Sequence, residues 1–200
     1  MRTSLLLTAI AALLLMAPRA EAQLRFMPYI GYATNIGYDF DADDATSGFL
    51  VGLGTEFSLT PGILPVALKA RPSIETAFIG GSTVAGADAS QDVIKANLDL
   101  IADFSPPLAP IGVYAGAGVT YMNYSATADN SPDLDGSGFG ANLLAGAHFG
   151  GGFVQPFIQG RYTIGSATPD NPQLFDAGLA GTAGDLGNSF AVQVGASIGL

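Results

Sequence analysis

Eight stretches of alternating apolar and polar residues constrain the fold of this 200-residue chain more than any other feature. In the stretch VIKANLDLIADF, residues 93–104, Leu98 and its alternate neighbours share one face, while Lys95, Asp99 and Asp103 share the other. A period of two is the period of a β-strand, whose successive side chains point to opposite faces. The sequence therefore predicts eight strands, over residues 24–34, 48–58, 66–79, 93–104, 111–124, 137–149, 153–164 and 189–200.

The first 22 residues differ from the rest of the chain. A charged start at Arg2 precedes an apolar run from Leu5 to Ala17, and the triplet Ala20-Glu21-Ala22 follows it. This order is typical of a secretory signal peptide with an A-x-A cleavage site. We predict that residues 1–22 are removed and that residues 23–200 form one barrel domain.

Composition excludes several classes of protein. The chain has no cysteine, so disulfides, zinc ribbons and cysteine nucleophiles are not available to it. Its formal net charge of −10 argues against nucleic acid as a partner, because nucleic-acid binding needs a basic surface. No apolar run is long enough for a transmembrane helix, and no glycine-rich segment precedes a helix as a phosphate cradle would. We predict no cofactor.

The connections between strands alternate in length. Those after the second, fourth and sixth strands are short, and the other four, residues 35–47, 80–92, 125–136 and 165–188, are long. In an up-and-down barrel, alternate connections emerge at opposite ends, so one rim carries all four long loops, as the extracellular rim of an outer-membrane barrel does. Twelve of the sixteen acidic residues after position 22 lie in these loops: Asp39, Asp41, Asp43, Asp44, Asp88, Asp92, Asp129, Asp133, Asp135, Asp170, Asp176 and Asp185.

The polar faces of the strands carry a nearly balanced set of charges, whereas the apolar faces carry none. A lysine or arginine facing lipid near the bilayer midplane costs about 2–4 kcal/mol, so a membrane barrel must enclose these charges. An enclosed set is expected to be balanced because its members pair. The predicted lumen network consists of Arg25, Glu56, Lys69, Arg71, Glu75, Lys95, Asp99, Asp103, His148 and Arg161.

The apolar face predicts contact with lipid. Its aromatic residues lie towards the strand ends and its small aliphatic residues in the middle, which is typical of two interfacial girdles around a lipid band. Leu98 is therefore expected to face lipid and Lys95 the lumen. The alternative is a soluble, lipocalin-like barrel with an apolar interior. That class favours a lysine-rich exterior, but the only lysines after position 22 are Lys69 and Lys95.

Two features leave chemical alternatives open. His148 is the only histidine, but no serine alternates with it on its strand, so we predict a packed lumen residue rather than the base of a hydrolase. The acidic runs DFDADD, residues 39–44, and DLDGSG, residues 133–138, resemble calcium-binding loops but lack a closing bidentate glutamate. No metal site is predicted, and calcium binding by these loops stays an alternative.

Four segments resemble the small outer membrane protein beta-barrel family, which includes OmpX-like and opacity-type proteins: IGVYAGAGVTY (111–121), GFGANLLAGAHF (138–149), QPFIQGRYTIG (155–165) and VQVGASIGL (192–200). The resemblance extends over essentially all of residues 23–200. It implies an all-β fold, an eight-stranded antiparallel up-and-down transmembrane β-barrel. It also implies a monomer that is inserted among outer-membrane lipids by the barrel assembly machinery. It brings no catalytic residues with it.

The sequence thus predicts a bacterial outer-membrane barrel with a structural or surface-interaction role and no enzyme activity. The acidic loops are the candidates for contact with extracellular ligands or surfaces. A narrow channel for small solutes or ions is the main alternative, because cations and carboxylates line the predicted lumen. A lipid-modifying enzyme is the less favoured alternative. A wide porin is not expected, since eight strands enclose a space that side chains can fill.

Overall fold

The computed structural model describes residues 24–35, 47–60, 66–84, 87–106, 109–128, 134–150, 152–169 and 188–200. Each strand pairs antiparallel with its sequence neighbours and the last pairs with the first, which closes the sheet into a barrel and confirms the predicted fold class. Among these residues, no helix is long and apolar enough to cross a membrane. The strands are β1 (Arg25–Asn35), β2 (Ser47–Ser58), β3 (Val66–Val84), β4 (Ala87–Phe104), β5 (Ile111–Ala128), β6 (Leu134–Phe149), β7 (Val154–Pro169) and β8 (Ser189–Gly199).

The strands are staggered around the barrel. A row of paired residues that leaves β1 at Asn35 and follows the ladder registers through β8 to β2 returns to β1 at Arg25, ten residues lower. With about 3.3 Å per residue and about 4.8 Å between strands, this stagger requires a tilt of about 40°. About ten residues then cross the roughly 25 Å apolar band of an outer-membrane barrel.

The two ends of the barrel differ. The end at which β1 begins, β8 ends and the connections after β2, β4 and β6 lie is called the turn end, and the opposite one the loop end. At the turn end, Gly150 adopts a left-handed φ of 78°, which favours glycine, and its N–H donates to Pro110 O at 2.7 Å. The Leu200 N–H donates to Leu24 O at 3.0 Å. Backbone hydrogen bonds therefore hold neighbouring segments of the wall together at this end.

At the loop end, the five strands from β3 to β7 each extend at least three residues beyond their predicted bounds. β3 ends at Val84 and β4 begins at Ala87, so the predicted loop over residues 80–92 is wrong: all but two of its residues lie in a long hairpin. β5, β6 and β7 likewise occupy parts of the predicted loops 125–136 and 165–188. Apolar alternation ends where lipid ends, but backbone pairing continues in water. The remainder of the predicted loops lies outside the described residues, as does the predicted signal peptide.

Two prolines lie at interruptions of the ladders. The pairing of β2 with β3 skips Arg71 and Pro72, and the pairing of β1 with β8 skips Met27 and Pro28. A proline has no N–H to donate to a neighbouring strand, so an interruption opposite it is the expected consequence. The barrel accommodates Pro72 because its other neighbour, β4, still pairs with it at Leu98.

The two faces of the wall have the predicted orientation. Leu98 is 44% exposed, whereas Lys95 on the same strand is only 7% exposed. A soluble monomer rarely exposes a contiguous apolar surface of this extent, so the soluble lipocalin-like alternative is wrong. The exposed apolar side chains surround the barrel and include Ile30, Phe49, Ile74, Leu98, Leu100, Val119, Phe139, Leu143, Ile158 and Val194.

Candidate functional site in the barrel lumen

The ten residues of the predicted network all lie on the inward phase of their strands. Arg25 and Lys69 are partly exposed. The other eight are buried: Glu56, Arg71, Glu75, Lys95, Asp99, Asp103, His148 and Arg161. Burial of charged groups is unfavourable unless they are paired and hydrogen-bonded, so their partners determine what the lumen can do.

A cluster of ion pairs occupies the lumen near the turn end. Lys69 Nζ lies 2.8 Å from Glu56 Oε1 and 2.7 Å from Asp103 Oδ2, and so bridges two carboxylates. Arg71 Nη2 lies 2.7 Å from Glu56 Oε2, and the Arg71 guanidinium lies 4.8 Å from the centre of the Tyr114 ring. Both cations therefore converge on Glu56, and Arg71 gains a cation–π contact in addition.

A chain of hydrogen bonds crosses the middle of the lumen. Arg71 Nη1 donates to Gln159 Oε1 at 2.7 Å, Gln159 Nε2 donates to Gln193 Oε1, and Gln193 Nε2 donates to Glu75 Oε2 at 2.8 Å. The chain joins β3 to β7 and β8 and returns to β3. Gln159 and Gln193 are absent from the predicted network because they carry no charge, although the phase of alternation places both inward.

A second bridge joins β4 to β7. Arg161 Nη2 lies 2.8 Å from Asp99 Oδ2, and the two residues are 2% and 1% exposed. Asn142 Nδ2 donates to Asp99 Oδ1 at 3.2 Å, so the carboxylate has partners from two strands. Gly118 makes room for it, because a Cβ there would lie 2.3 Å from Asp99 Oδ1. The sequence alone does not show that Gly118 lies opposite Asp99, because this pairing depends on the register of β4 and β5.

The lumen changes character towards the loop end, where the predicted polar network gives way to an apolar layer. Lys95 lies at the boundary, and its Nζ donates to Ser189 Oγ at 2.6 Å across the barrel from β4 to β8. Alternation indicates that the apolar residues of this layer point inward, but the predicted network contained only charged residues and His148. The apolar layer consists of Ala33, Leu50, Ala77, Ile79, Val93, Met122, Tyr124 and Ala191.

His148 does have a serine beside it, contributed by a residue that sequence analysis missed. Ser105 lies just after β4, and its Oγ is 3.1 Å from His148 Nε2 and 2.5 Å from Asp103 Oδ1. Asp103 also lies 3.2 Å from the same Nε2, while Nδ1 is buried without a hydrogen-bond partner among the described residues. A serine–histidine–aspartate relay needs its two partners on different ring nitrogens. This cluster instead gathers three groups around the Asp103 carboxylate.

No described part of the chain gathers three or more histidine, aspartate or glutamate side chains in a geometry that could hold a metal ion. The acidic run at residues 39–44 lies outside the described residues. Asp135, from the second run, is an exposed residue of β6. For the run at residues 39–44, calcium binding therefore stays a prediction.

The closed antiparallel barrel, with its apolar outer surface and its ion-paired interior, defines a transmembrane β-barrel of the bacterial outer membrane. The sequence model of the family described as outer membrane protein beta-barrel domain matches residues 6–196. The chain belongs to this family, and its location is the bacterial outer membrane. Among curated proteins, no sequence matches the chain.

Solved structures share the fold at low sequence identity. Neisserial surface protein A is 13% identical with a TM-score of 0.63, and the match covers 88% of this chain and 97% of that one. The attachment invasion locus protein of Yersinia pestis is 12% identical with a TM-score of 0.52, covering 90% and 99%. The N-terminal barrel domain of Pseudomonas aeruginosa OprF is 13% identical with a TM-score of 0.52, covering 90% and 100%. These likenesses show the fold alone.

Proposed function

We propose that the protein is a closed, non-catalytic outer-membrane barrel that holds its loop end towards the outside medium for contact with external surfaces. The observation that carries this proposal is the set of side-chain bridges across the lumen. Arg71–Gln159 joins β3 to β7, and Lys95–Ser189 joins β4 to β8. In a ring of eight strands each of these pairs is four strands apart, so both bridges cross the full diameter.

The apolar layer supports a closed lumen independently of the bridges. An ion that passes Leu50, Val93 and Met122 would lose water without gaining polar partners, which is how hydrophobic constrictions block conduction. Most charges of the polar network beneath it are held by partners within the lumen. Ion pairs join Glu56, Lys69, Arg71, Asp99, Asp103 and Arg161, whereas Lys95 and Glu75 bond to neutral side chains. Both features favour a structural barrel over the channel alternative.

The first experiment is single-channel recording of the purified protein in planar lipid bilayers. We expect no steady conductance, because the bridges and the apolar layer occupy the lumen. Replacing Arg71, Gln159 and Leu50 together with alanine should produce steady openings. The lipid-facing Leu98→Ala is the matched control and should stay silent. Steady openings of the unaltered protein would favour the channel instead.

The proposal places the turn end in the periplasm and the acidic loop end outside. It includes insertion by the barrel assembly machinery and a monomeric state, since the closed sheet leaves no strand edge that a partner must cover. The solved attachment invasion locus protein is described in complex with the heparin analogue sucrose octasulfate. The net charge of −10 of this chain disfavours such a polyanion and favours basic partners.

A second experiment tests the surface role. Cells that display the protein should bind to a polylysine-coated surface, and changing Asp39, Asp41, Asp43 and Asp44 to asparagine should lower binding severalfold. Attraction between exposed charges is screened over about 8 Å at physiological salt, so binding should also weaken as salt rises. Aspartate-to-glutamate changes at the same four positions keep the charge and serve as the control. Equal binding by the asparagine and glutamate variants would contradict a role for this charge.

A further inference from the structure

A patch of polar side chains lies on the outer wall at the loop end of β4, β5 and β6, and is called the outer polar patch. The strand registers place Asp92 opposite Ser125 and Ser125 opposite Asp135, so these three residues form one row. Asn123 pairs with Ser137 two residues closer to the lipid band. All five side chains point outward and are at least partly exposed. Neither carboxylate takes part in an ion pair among the described residues.

Two aromatic rings form the lower border of the outer polar patch. Tyr121 and Phe139 pair on β5 and β6, directly below Asn123 and Ser137 on the outward face, and their ring centres are 5.2 Å apart. Phe139 is 72% exposed, so most of its ring is free to contact another molecule. Along β5 and β6 the outward surface therefore changes from aromatic to amide, hydroxyl and carboxylate groups within a short distance.

The tilt of the strands places the outer polar patch at the depth of lipid headgroups. At a tilt of about 40°, a row of paired residues climbs towards the loop end by about 3 Å per strand from β1 to β8, and each residue along a strand adds about 2.5 Å. On this scale the rings of Phe78, Tyr121 and Phe139 lie within about 4 Å of one height. The patch extends from about 1 Å to about 9 Å above Phe78. The headgroup region of one leaflet is about 5–7 Å thick, so headgroups are what the patch meets.

No lysine or arginine side chain faces these headgroups. All the lysines and arginines of residues 23–200 lie on the inward phase of their strands: Arg25, Lys69, Arg71, Lys95 and Arg161. Lysine and arginine are the side chains that bind phosphate, whereas carboxylates such as Asp92 and Asp135 repel it. The outer polar patch suits hydroxyl groups instead, since a carboxylate accepts hydrogen bonds and an amide both donates and accepts them. An uncharged, hydroxyl-rich headgroup therefore fits the patch better than a phosphate does.

We propose that the outer polar patch binds the uncharged sugar headgroup of a glycolipid in the outer leaflet. Asp92, Asn123 and Asp135 bond to its hydroxyl groups. The C–H face of a sugar ring packs on Phe139, because the face of an aromatic ring carries partial negative charge. Two strand spacings, about 10 Å, separate Asp92 from Asp135, which matches the length of a disaccharide. The site goes beyond contact with external surfaces, but it rests on the proposed orientation with the loop end outside.

The experiment uses residues 23–200 refolded in detergent micelles and native mass spectrometry with digalactosyldiacylglycerol, whose two sugars are uncharged. We expect a retained glycolipid on the barrel. Phosphatidylglycerol with the same acyl chains should be retained about tenfold more weakly, which corresponds to about 1.4 kcal/mol. Neither magnesium nor a chelator should change these results. Equal or tighter retention of phosphatidylglycerol, or glycolipid retention that needs magnesium, would overturn the proposal.

Variants of the carboxylates distinguish hydrogen bonding to hydroxyl groups from attraction by charge. Asp92→Ala/Asp135→Ala should weaken retention of the glycolipid about tenfold. Asp92→Asn/Asp135→Asn should keep most of the retention, because an amide still bonds to hydroxyl groups. If the asparagine variant loses as much as the alanine variant, charge rather than hydroxyl recognition holds the lipid and the proposal is wrong. Heat-modifiable gel migration verifies that each variant is folded.

A pair of aromatic variants tests the contact with the sugar ring. Phe139→Leu removes the ring but keeps an apolar side chain, and it should weaken retention of the glycolipid severalfold. Phe49→Leu changes another exposed ring of the loop end, on β2 and away from the outer polar patch, and should leave retention unchanged. Equal losses from the two variants would contradict the proposed contact.

A labelling experiment separates this proposal from the proposed orientation. The chain has no cysteine, so Asp88→Cys introduces a single one into the hairpin of β3 and β4. A membrane-impermeant maleimide should label this cysteine on intact cells. Labelling without retention of the glycolipid would overturn this inference alone. Failure to label would overturn the orientation and this inference with it.

Discussion

Asp99→Ala should destabilise the barrel by about 3–5 kcal/mol, because it leaves the Arg161 guanidinium charged and buried without its carboxylate. The two side chains are 2.8 Å apart, and both are almost inaccessible to water. The loss would be a large fraction of the roughly 5–15 kcal/mol that stabilises a typical folded protein. Urea titration of the folded fraction in lipid vesicles, followed by heat-modifiable gel migration, measures the change.

Two further variants determine whether the pairing itself causes this loss. Asp135→Ala removes an exposed carboxylate from β6 and should change stability by no more than about 0.5 kcal/mol. The double variant Asp99→Leu/Arg161→Met removes both charges and should recover much of the stability, since apolar replacement of a buried pair is often neutral. A loss below about 1 kcal/mol for Asp99→Ala would show that water reaches this part of the lumen.

Leu98→Arg should lower the free energy of unfolding by about 2–4 kcal/mol. Leu98 lies near the middle of β4 on the lipid-facing side, so the introduced charge would have no polar partner there. Its neighbours across the ladders, Pro72 and Val119, are uncharged as well. The same urea titration measures the effect. A smaller cost would indicate that water, not lipid, surrounds the outer wall.

Depth within the membrane provides the control for this variant. Ser166→Arg lies on the exposed face of β7 near the loop end, where the cost of a charge should fall to about 0–1 kcal/mol. Equal losses at Leu98 and Ser166 would contradict the assignment of the lipid band. The assignment would also be contradicted if an arginine had little effect on stability at both positions.

Patterns within one strand predict local geometry and miss features that depend on other strands or on loop residues. Alternation alone places Leu98 outward and Lys95 inward, since it depends only on the local geometry of one strand. The long hairpin of β3 and β4 was missed because its outer part leaves the lipid band and carries no apolar alternation. Ser105 was missed because it lies beyond the end of its strand and meets His148 across Gly112 of β5, which has no side chain.

Alternation along the sequence predicts the number of strands, the face of each that meets lipid and the set of charges that must be enclosed. It can do so because a period of two depends only on residues that are neighbours in the chain. The partner of each enclosed charge, by contrast, follows only from the closed barrel. Lys95 bonds to Ser189, 94 positions away, and Arg71 bonds to Gln159, 88 positions away. Such partners depend on the ten-residue stagger and the tilt of the closed barrel, which are properties of all eight strands together and of no single segment.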